Sequence, residues 1–427
     1  MKDKRLFTDG SSLFVSTPFL VVLALGLTVA ALLHQRVMSL ALAVTFFLCL
    51  CSRLWGENAL KNMRMECRAQ PGSLFPPGEV ELCYTVKNDK LLPLLWMELV
   101  QPVEEDAPLQ PREEKLFPAE VAEELPDGSR IRRQQLQLRR KSAFITGGET
   151  VTWRIPFTAA HRGIFRAGDV VLRSGDGFGL TQTEAPFSGT GSGCVAVYPR
   201  LRTVRTDLFL RNAWDVSAGK RGVLEDPTEL RFAREYAPGD PAKAINWRMT
   251  AKSQRMVVNT FEKIQPRRAW FLLDTESFNG LPPHREELED MLSVITSLVL
   301  ELSDAGVLCT LSLPEQDGVP AQTFPATVST PTEDILFALA GLKLRKSRLS
   351  PEGKPVFLPT RFREEDILSH GSRGRLYYVT YDAGTLPPGG LLSRSEGGVT
   401  VISVRGGASA SGLPVVPLEE LKGGAHG

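Results

Sequence analysis

Two aspartates carry the first hint of chemistry. Asp274 closes the continuous apolar run Ala269 to Leu273, and Asp382 follows the run Arg375 to Tyr381. A run that is apolar throughout reads as a strand covered on both faces, and ligands of such sheets bind at the carboxyl ends of strands. A second group gathers between Leu230 and Glu262, where Arg234, Glu235 and Tyr236 lead into Ala237-Pro-Gly-Asp240, followed by Trp247, Arg248 and Lys252. Proline fixes φ and Gly239 accepts positive φ, so these residues form a rigid turn. Asp240 then reads as an N-cap with Pro241 at the first helical position, and the helix runs through Ile245 and Trp247 to about Lys252. Two readings follow. In one, Arg234, Tyr236, Gly239, Asp240, Trp247 and Arg248 form a docking surface or ligand site. In the other, the stretch is a structural joint, with Trp247 filling a core gap, Asp240 capping and Arg234 paired. The turn and cap favour the joint, whereas a basic excess over Arg200 to Arg268, fifteen Lys and Arg against eight acids, favours the surface.

Other chemistries lack their signatures. Gly219-Lys220 suggests a phosphate loop, but Trp214 stands where that loop needs glycine. There is no GxSxG elbow, and the five histidines show no zinc-ligand spacing. Six scattered cysteines without a CxxC pair suit free thiols in a reducing compartment. A net charge of +1 gives no pull toward nucleic acid. With no catalytic motif in view, the chain reads as a non-enzyme.

The elements that position these residues change character along the chain. Leu13 to Leu33 is 21 residues without charge, the length of a bilayer-crossing helix, and Val37 to Cys51 is a second run that reaches Trp55 if Arg53 snorkels. The first run is longer than a signal-peptide core and the second follows at once, so the pair reads as a transmembrane hairpin. Lys2, Lys4, Arg5, Arg53, Lys61, Arg64 and Arg68 flank it, against Arg36 in the turn. The positive-inside rule then places the N-terminus and the large C-terminal region in the cytoplasm of a multi-pass cell-membrane protein.

From 61 to 200, short alternating stretches such as Glu79 to Val86, Thr150 to Phe157 and Gly193 to Tyr198 predict an all-β sandwich. Within it, nine acids between Val103 and Asp127 precede six basic residues between Arg130 and Lys141, and only the acidic tract hints at a helical period. Ser188 to Gly193 is glycine-rich but precedes a strand, so it reads as a loop rather than a dinucleotide fingerprint. Residues 201–266 form the segment containing the joint. From 267 to 427, strands alternate with helices, giving an α/β domain with a mainly parallel sheet. Its strongest helix lies between His284 and Ala305, where Leu288, Met291, Leu292, Ile295, Leu298, Val299 and Leu302 share one face. A helix over Asp334 to Leu344, another near Arg363 to Ser369, and strands over Val307 to Leu313, Ala321 to Val328 and Gly398 to Val404 complete the pattern. The four domains are therefore 1–60, 61–200, 201–266 and 267–427.

Arg234-Glu-Tyr-Ala-Pro-Gly-Asp240 followed by Ile245-Asn-Trp247 resembles the signature of the domain-of-unknown-function 58 family, a bacterial and archaeal group. Arg162-Gly163 and Gly175 to Leu180 are similar to the family's upstream strand region, where proline is commoner than Gly177. The resemblance covers nearly the whole chain. It implies membrane anchoring, a von Willebrand factor type A-like C-terminal region, and a MoxR-type AAA+ ATPase partner in protein assembly or maturation. The type A metal site uses Asp-x-Ser-x-Ser after the first strand. Here the residues are Asp274-Thr-Glu-Ser-Phe278, so only Asp274 matches, and Thr380-Tyr-Asp382 resembles a later element of that site. Thr332 is the nearest counterpart of the site's middle threonine. Asp274, Glu276, Ser277 and Asp382 are the oxygen ligands this degenerate site offers to Mg²⁺. The expectation is a membrane-anchored adaptor on the cytoplasmic face that binds lipid bilayer and a protein partner, with no required cofactor. The alternatives are a divalent-metal-dependent binding module and a cell-envelope enzyme.

Overall fold

The computed structural model describes residues 13–104, 106–112, 115–124, 130–188, 193–211, 224–238, 240, 245–264, 268–280, 282–315, 319–325, 332–344, 362, 375–385, 398–408 and 412–423. For 120–124, 130–134, 224–232 and 260–264 the description covers the backbone alone. The chain divides into two compact units, Met1–Tyr198 and Pro199–Gly427.

In the first unit a 3-10 turn at Leu13–Val15 precedes helix α1 (Thr17–Leu32), and α2 spans Arg36–Ala59. Pro18 sits in the first turn of α1, where its missing N–H costs nothing and where helices start. The sequence makes the first apolar run the full span and the second the short one, and the structure reverses this. The 16 residues of α1 cover about 24 Å, whereas α2 has 24 residues. Among the described residues α2 is the one helix long and apolar enough to cross a membrane. It continues past Arg53 because that guanidinium pairs with Glu57 one turn on, at 3.0 Å. The helices pack through Leu20, Leu23 and Cys49, and Arg53 Nη1 donates to Thr17 Oγ1 at 3.0 Å.

Twelve strands follow: β1 (Met63–Gln70), β2 (Ser73–Leu74), β3 (Glu79–Asn88), β4 (Leu94–Val103), β5 (Leu109–Pro111), β6 (Leu116–Glu124), β7 (Arg130–Ile145), β8 (Thr150–Ala159), β9 (Gly163–Arg166), β10 (Asp169–Gly175), β11 (Gln182–Ser188) and β12 (Cys194–Val197). They form sheets ordered β1-β3-β8-β5, β11-β10-β4-β7-β6 and β2-β12-β9. The period-2 pattern of β1 and β3 turns Met65, Cys67, Leu82 and Tyr84 inward. There they join Phe157 from the same sheet and Leu99, Leu138 and Leu172 from the second in one core. Each such side chain contributes about 1.5–3 kcal/mol by leaving water. Burial and the neighbouring Cys83 push the Cys67 thiol up to about 12, as befits an inert core thiol. Among the described residues of the acidic tract no helix forms: its stretch Leu116–Glu124 is β6, paired antiparallel with β7 from Leu116 opposite Leu138 to Glu124 opposite Arg130. Ladder pairing with the partner strand overrides the weak helical period there.

The last two turns of α2 belong to this β-domain. Ser52 Oγ donates to the buried carboxylate of Asp176 at 2.5 Å. Thr181 Oγ1 donates to Ser52 O at 3.3 Å and Thr183 Oγ1 to Gly56 O at 2.9 Å. A Cβ at Gly56 would lie 2.7 Å from Thr181 Oγ1, so only glycine permits this approach. Lys90 Nζ donates to Asn58 O at 2.9 Å and also to Ala59 O, capping the helix.

In the second unit, strand β13 (Leu224–Glu235) pairs antiparallel with β14 (Val257–Ile264), and helix α3 (Trp247–Ser253) lies between them in sequence. A six-stranded sheet follows, built from β15 (Arg268–Leu273), β16 (Leu308–Leu313), β17 (Gln322–Pro325), β18 (Arg375–Thr380), β19 (Val399–Ser403) and β20 (Val415–Pro417). Its order is β17-β16-β15-β18-β19-β20, parallel except for β17. Helices α4 (Arg285–Asp304), α5 (Glu333–Gly341) and α6 (Leu418–Leu421) accompany it. All seven apolar residues expected on one face of α4 are buried. Gly306, at φ +77°, closes that helix: its N–H donates to Ser303 O and that of Val307 to Leu302 O, a Schellman motif. Residues 199–211 pack into the same core, where Phe209 lies 4.7 Å from the Tyr377 ring. Strand β20 and α6 are too short to leave a periodic signal. The helix expected near Arg363 to Ser369 and residues 189–192 of the loop Ser188 to Gly193 lie outside the described residues.

Candidate functional site

At the connected end of the β13–β14 hairpin, Tyr236 N donates to Met256 O at 2.8 Å. Arg234 reaches forward from the strand and grips Asp240 with both ends of its guanidinium, at 2.8 and 2.6 Å. Asp240 Oδ2 also accepts from Ala237 N at 2.9 Å. The Arg234 fork, with the Ala237 N–H, holds the Asp240 carboxyl below its ordinary range. The residues that would follow Asp240 as a helix cap, 241–244, lie outside the described residues. The described helix α3 is capped by Asn246, whose Oδ1 accepts from Met249 N at 3.0 Å. Asn246 Nδ2 donates to Asn259 Oδ1 at 2.8 Å, tying the cap to β14. Ile245 is no helical residue, since it bridges to Val258. The described helix α3 starts at Trp247. Gly239 and Pro241 lie outside the described residues.

Trp247 fills no core gap: it is 66% exposed. None of the seven residues of α3 is buried, and Tyr236, Met249 and Met256 are exposed large apolar side chains of the same segment. Arg248 and Lys252 stand beside them, also exposed. So short a helix is marginal in water on its own. Asn246, the Thr250 Oγ1 bond accepted from Val257 N at 3.1 Å, and Gln254 in the left-handed conformation at its C-cap hold it in shape. The segment thus spends polar interactions on keeping a tryptophan and methionines in solvent. Such a patch, rimmed by arginines, has the composition of an interaction hot spot.

The second group lies at the carboxyl end of the parallel sheet. The chain leaves β15 toward β16 and later returns on its other side at β18, so Asp274 sits at a topological switch point. Its Oδ2 accepts from Tyr378 Oη at 3.0 Å and Thr380 Oγ1 at 3.4 Å, and Oδ1 from Ser277 N at 3.3 Å. Ser277 Oγ donates to Asp274 O and accepts from Tyr381 N, tying β15 to the end of β18. Glu276 is buried and accepts from Asn279 Nδ2 at 3.1 Å. Phe278 is core, 5.6 Å from the Tyr381 ring, and His284 stacks on that ring at 3.9 Å. Asp382 accepts from Gly384 N at 2.9 Å and faces Arg405 at 3.4 Å. Thr332 is the residue before α5 and makes no capping bond with its side chain. Among the described residues no group of three or more His, Cys, Asp or Glu side chains is placed to hold a metal ion.

Sequence reasoning finds the signature arginine, aspartate and tryptophan, and Ser277 and Thr380 beside Asp274, but misses Met249, Met256 and Tyr378. The methionines carry no motif. Tyr378 could have been found by alternation, since it shares one face of β18 with Leu376 and Thr380. No family model matches the chain, and no curated protein matches it. Among solved structures, it is similar over 36% of its length to 54% of the sporulation control protein Spo0M from Bacillus subtilis, at 14% identity and TM-score 0.17. It is also similar over 76% of its length to 58% of a GH20 exo β-N-acetylglucosaminidase from Vibrio harveyi, at 10% identity and TM-score 0.19. A β-glucosidase from Listeria innocua matches over 30% of this chain and 16% of its own, at 11% identity and TM-score 0.13. The chain thus spans little more than half of the first two neighbours, and likenesses this loose leave its own geometry as the guide to function.

Proposed function

We propose that this chain is a membrane-anchored docking protein whose second unit presents Trp247 and its neighbours to a protein partner, a MoxR-type AAA+ ATPase. The observation that carries the reading is the 66% exposure of Trp247 on a helix clamped by polar side chains. The signature residues Arg234 and Asp240 hold the adjoining turn, and Arg248 supplies charge at the rim. The strand order, with Asp274 at its switch point, supports the resemblance to a von Willebrand factor type A-like region. Anchoring rests on α2. Because α1 packs on α2 and turns Val21, Val22, Leu25 and Val29 outward, both helices belong in hydrocarbon if α2 does. Arg53 bonded to Thr17 sets the start of α1 level with the end of α2. The basic flanks favour a two-pass anchor with both ends cytoplasmic. Co-purification of the full chain from gently solubilised membranes is expected to retain the ATPase. Its consistent absence, under conditions that keep other membrane complexes intact, contradicts the partner assignment.

A further inference from the structure

Phe178 is a conspicuously exposed aromatic of the β-domain. It is 71% exposed, in the loop 176–181 between β10 and β11. The same loop holds the buried Asp176 that receives Ser52 Oγ of α2, and Trp96 Nε1 donates to Asp176 O at 3.1 Å, fixing the loop from the other side. Gly177 lies against Leu95, where an added Cβ would come 2.8 Å from Leu95 Cδ1. Strand β4 at Leu95 runs beside β7 at Phe144, another aromatic left 58% exposed. Lys141 lies 5.2 Å over the Trp96 ring, and Arg53 and Lys61 stand on the adjoining helix end and its exit. Aromatic tips beside basic side chains are what the membrane–water boundary selects.

The height of this loop follows from α2. A hydrocarbon core takes about 20 helical residues, so a span that begins at Arg36 ends near Trp55. The loop bonded to Ser52 is therefore carried at the bilayer boundary. Leu91, 98% exposed, is its counterpart farther out. It neighbours Lys90, which caps Ala59, seven residues beyond Ser52, or about 10 Å along the helix axis.

We propose that the loop 176–181 is inserted in the interfacial layer of the bilayer, with Phe178 at the headgroup–acyl boundary, so that the β-domain is seated on the membrane rather than tethered above it. The proposal rests on the reading of α2 as a bilayer span. The test uses the full chain reconstituted in phosphatidylcholine–phosphatidylglycerol vesicles, as Phe178→Trp and as Leu91→Trp, with and without lipid brominated on the acyl chain. The emission added by Phe178→Trp over the parent is expected to fall about twofold with the brominated lipid, as for a side chain roughly 5–10 Å into the interface. The emission added by Leu91→Trp is expected to change little. Equal quenching of the two, or none at Phe178→Trp, overturns the proposal, whether water or a second copy of the chain covers the loop. Alkaline carbonate separates this failure from that of the span. A parent chain released from the vesicles contradicts the reading of α2, whereas a retained chain with an unquenched Phe178→Trp contradicts the seating alone.

Discussion

At the scale of the residue, the signature aspartate is a latch. Arg234 and the Ala237 N–H both favour the charged form of Asp240, so its folded pKa lies below the ordinary 3.8. A carboxyl depressed in this way contributes stability that is fully present above the unfolded value and is lost as pH falls through the lower, folded one. Protection of the Ala237 amide from hydrogen exchange should therefore persist down to the ordinary aspartate range and disappear only below it. Asp240→Ala, which removes the acceptor, should lack that protection at every pH, and equal protection in the variant would refute the latch. Asp274 makes a different prediction. Three protein donors already converge on its oxygens, and Asp274→Asn turns one end of the acceptor into a donor facing donors. Leaving such a buried group unsatisfied costs about 1–3 kcal/mol, visible as a lower Tm for the second unit. Millimolar Mg²⁺ should move neither Tm. A rise in the parent that Asp274→Asn abolishes would instead establish a cation site.

At the scale of the element, the bonds from Ser52 to Asp176 and from Thr183 to Gly56 make the end of α2 part of the β-domain. Ser52→Ala and Asp176→Ala should each lower stability by about 1–3 kcal/mol. Because they act on one bond, the double variant should fall short of the sum, and additive losses in thermal unfolding would show that the contact is not shared. How much of this is legible in sequence depends on whether the signal is local. The face of α4 and its Schellman stop at Gly306 are local, and so are the continuous apolar strands β15, β18 and β19. The clamp on α2 joins residues more than a hundred positions apart, and no periodicity announces it. The joint was half legible. The pairing of Arg234 was among the readings it offered, whereas the capping of α3 by Asn246 went unread, and the guanidinium grips a carboxylate six residues downstream. The exposure of Trp247 could not be read at all, because a tryptophan in a short amphipathic stretch fits a core equally well. In β6 and β7 the partner strand decides the structure, so a weak helical hint in one strand alone misleads.

At the scale of the molecule, the two units divide the work. The first carries the apolar helices and a sandwich core that grips one of them. The second carries a mainly parallel sheet whose switch point is crossed by its own hydrogen bonds, and a hairpin whose helix leaves Trp247 and Met249 exposed. The central claim is that this helix docks a partner. Trp247→Ala removes an exposed side chain and should leave stability within about 0.5 kcal/mol of the parent. The most direct measurement is the affinity of the full chain, held in lipid nanodiscs, for a purified MoxR-type AAA+ ATPase, with Trp247→Ala beside the parent. The account predicts that the parent binds and that the variant, with unchanged Tm, loses at least roughly tenfold in affinity, as for a hot-spot tryptophan. Equal binding by the two chains, or no binding by the parent, would contradict it.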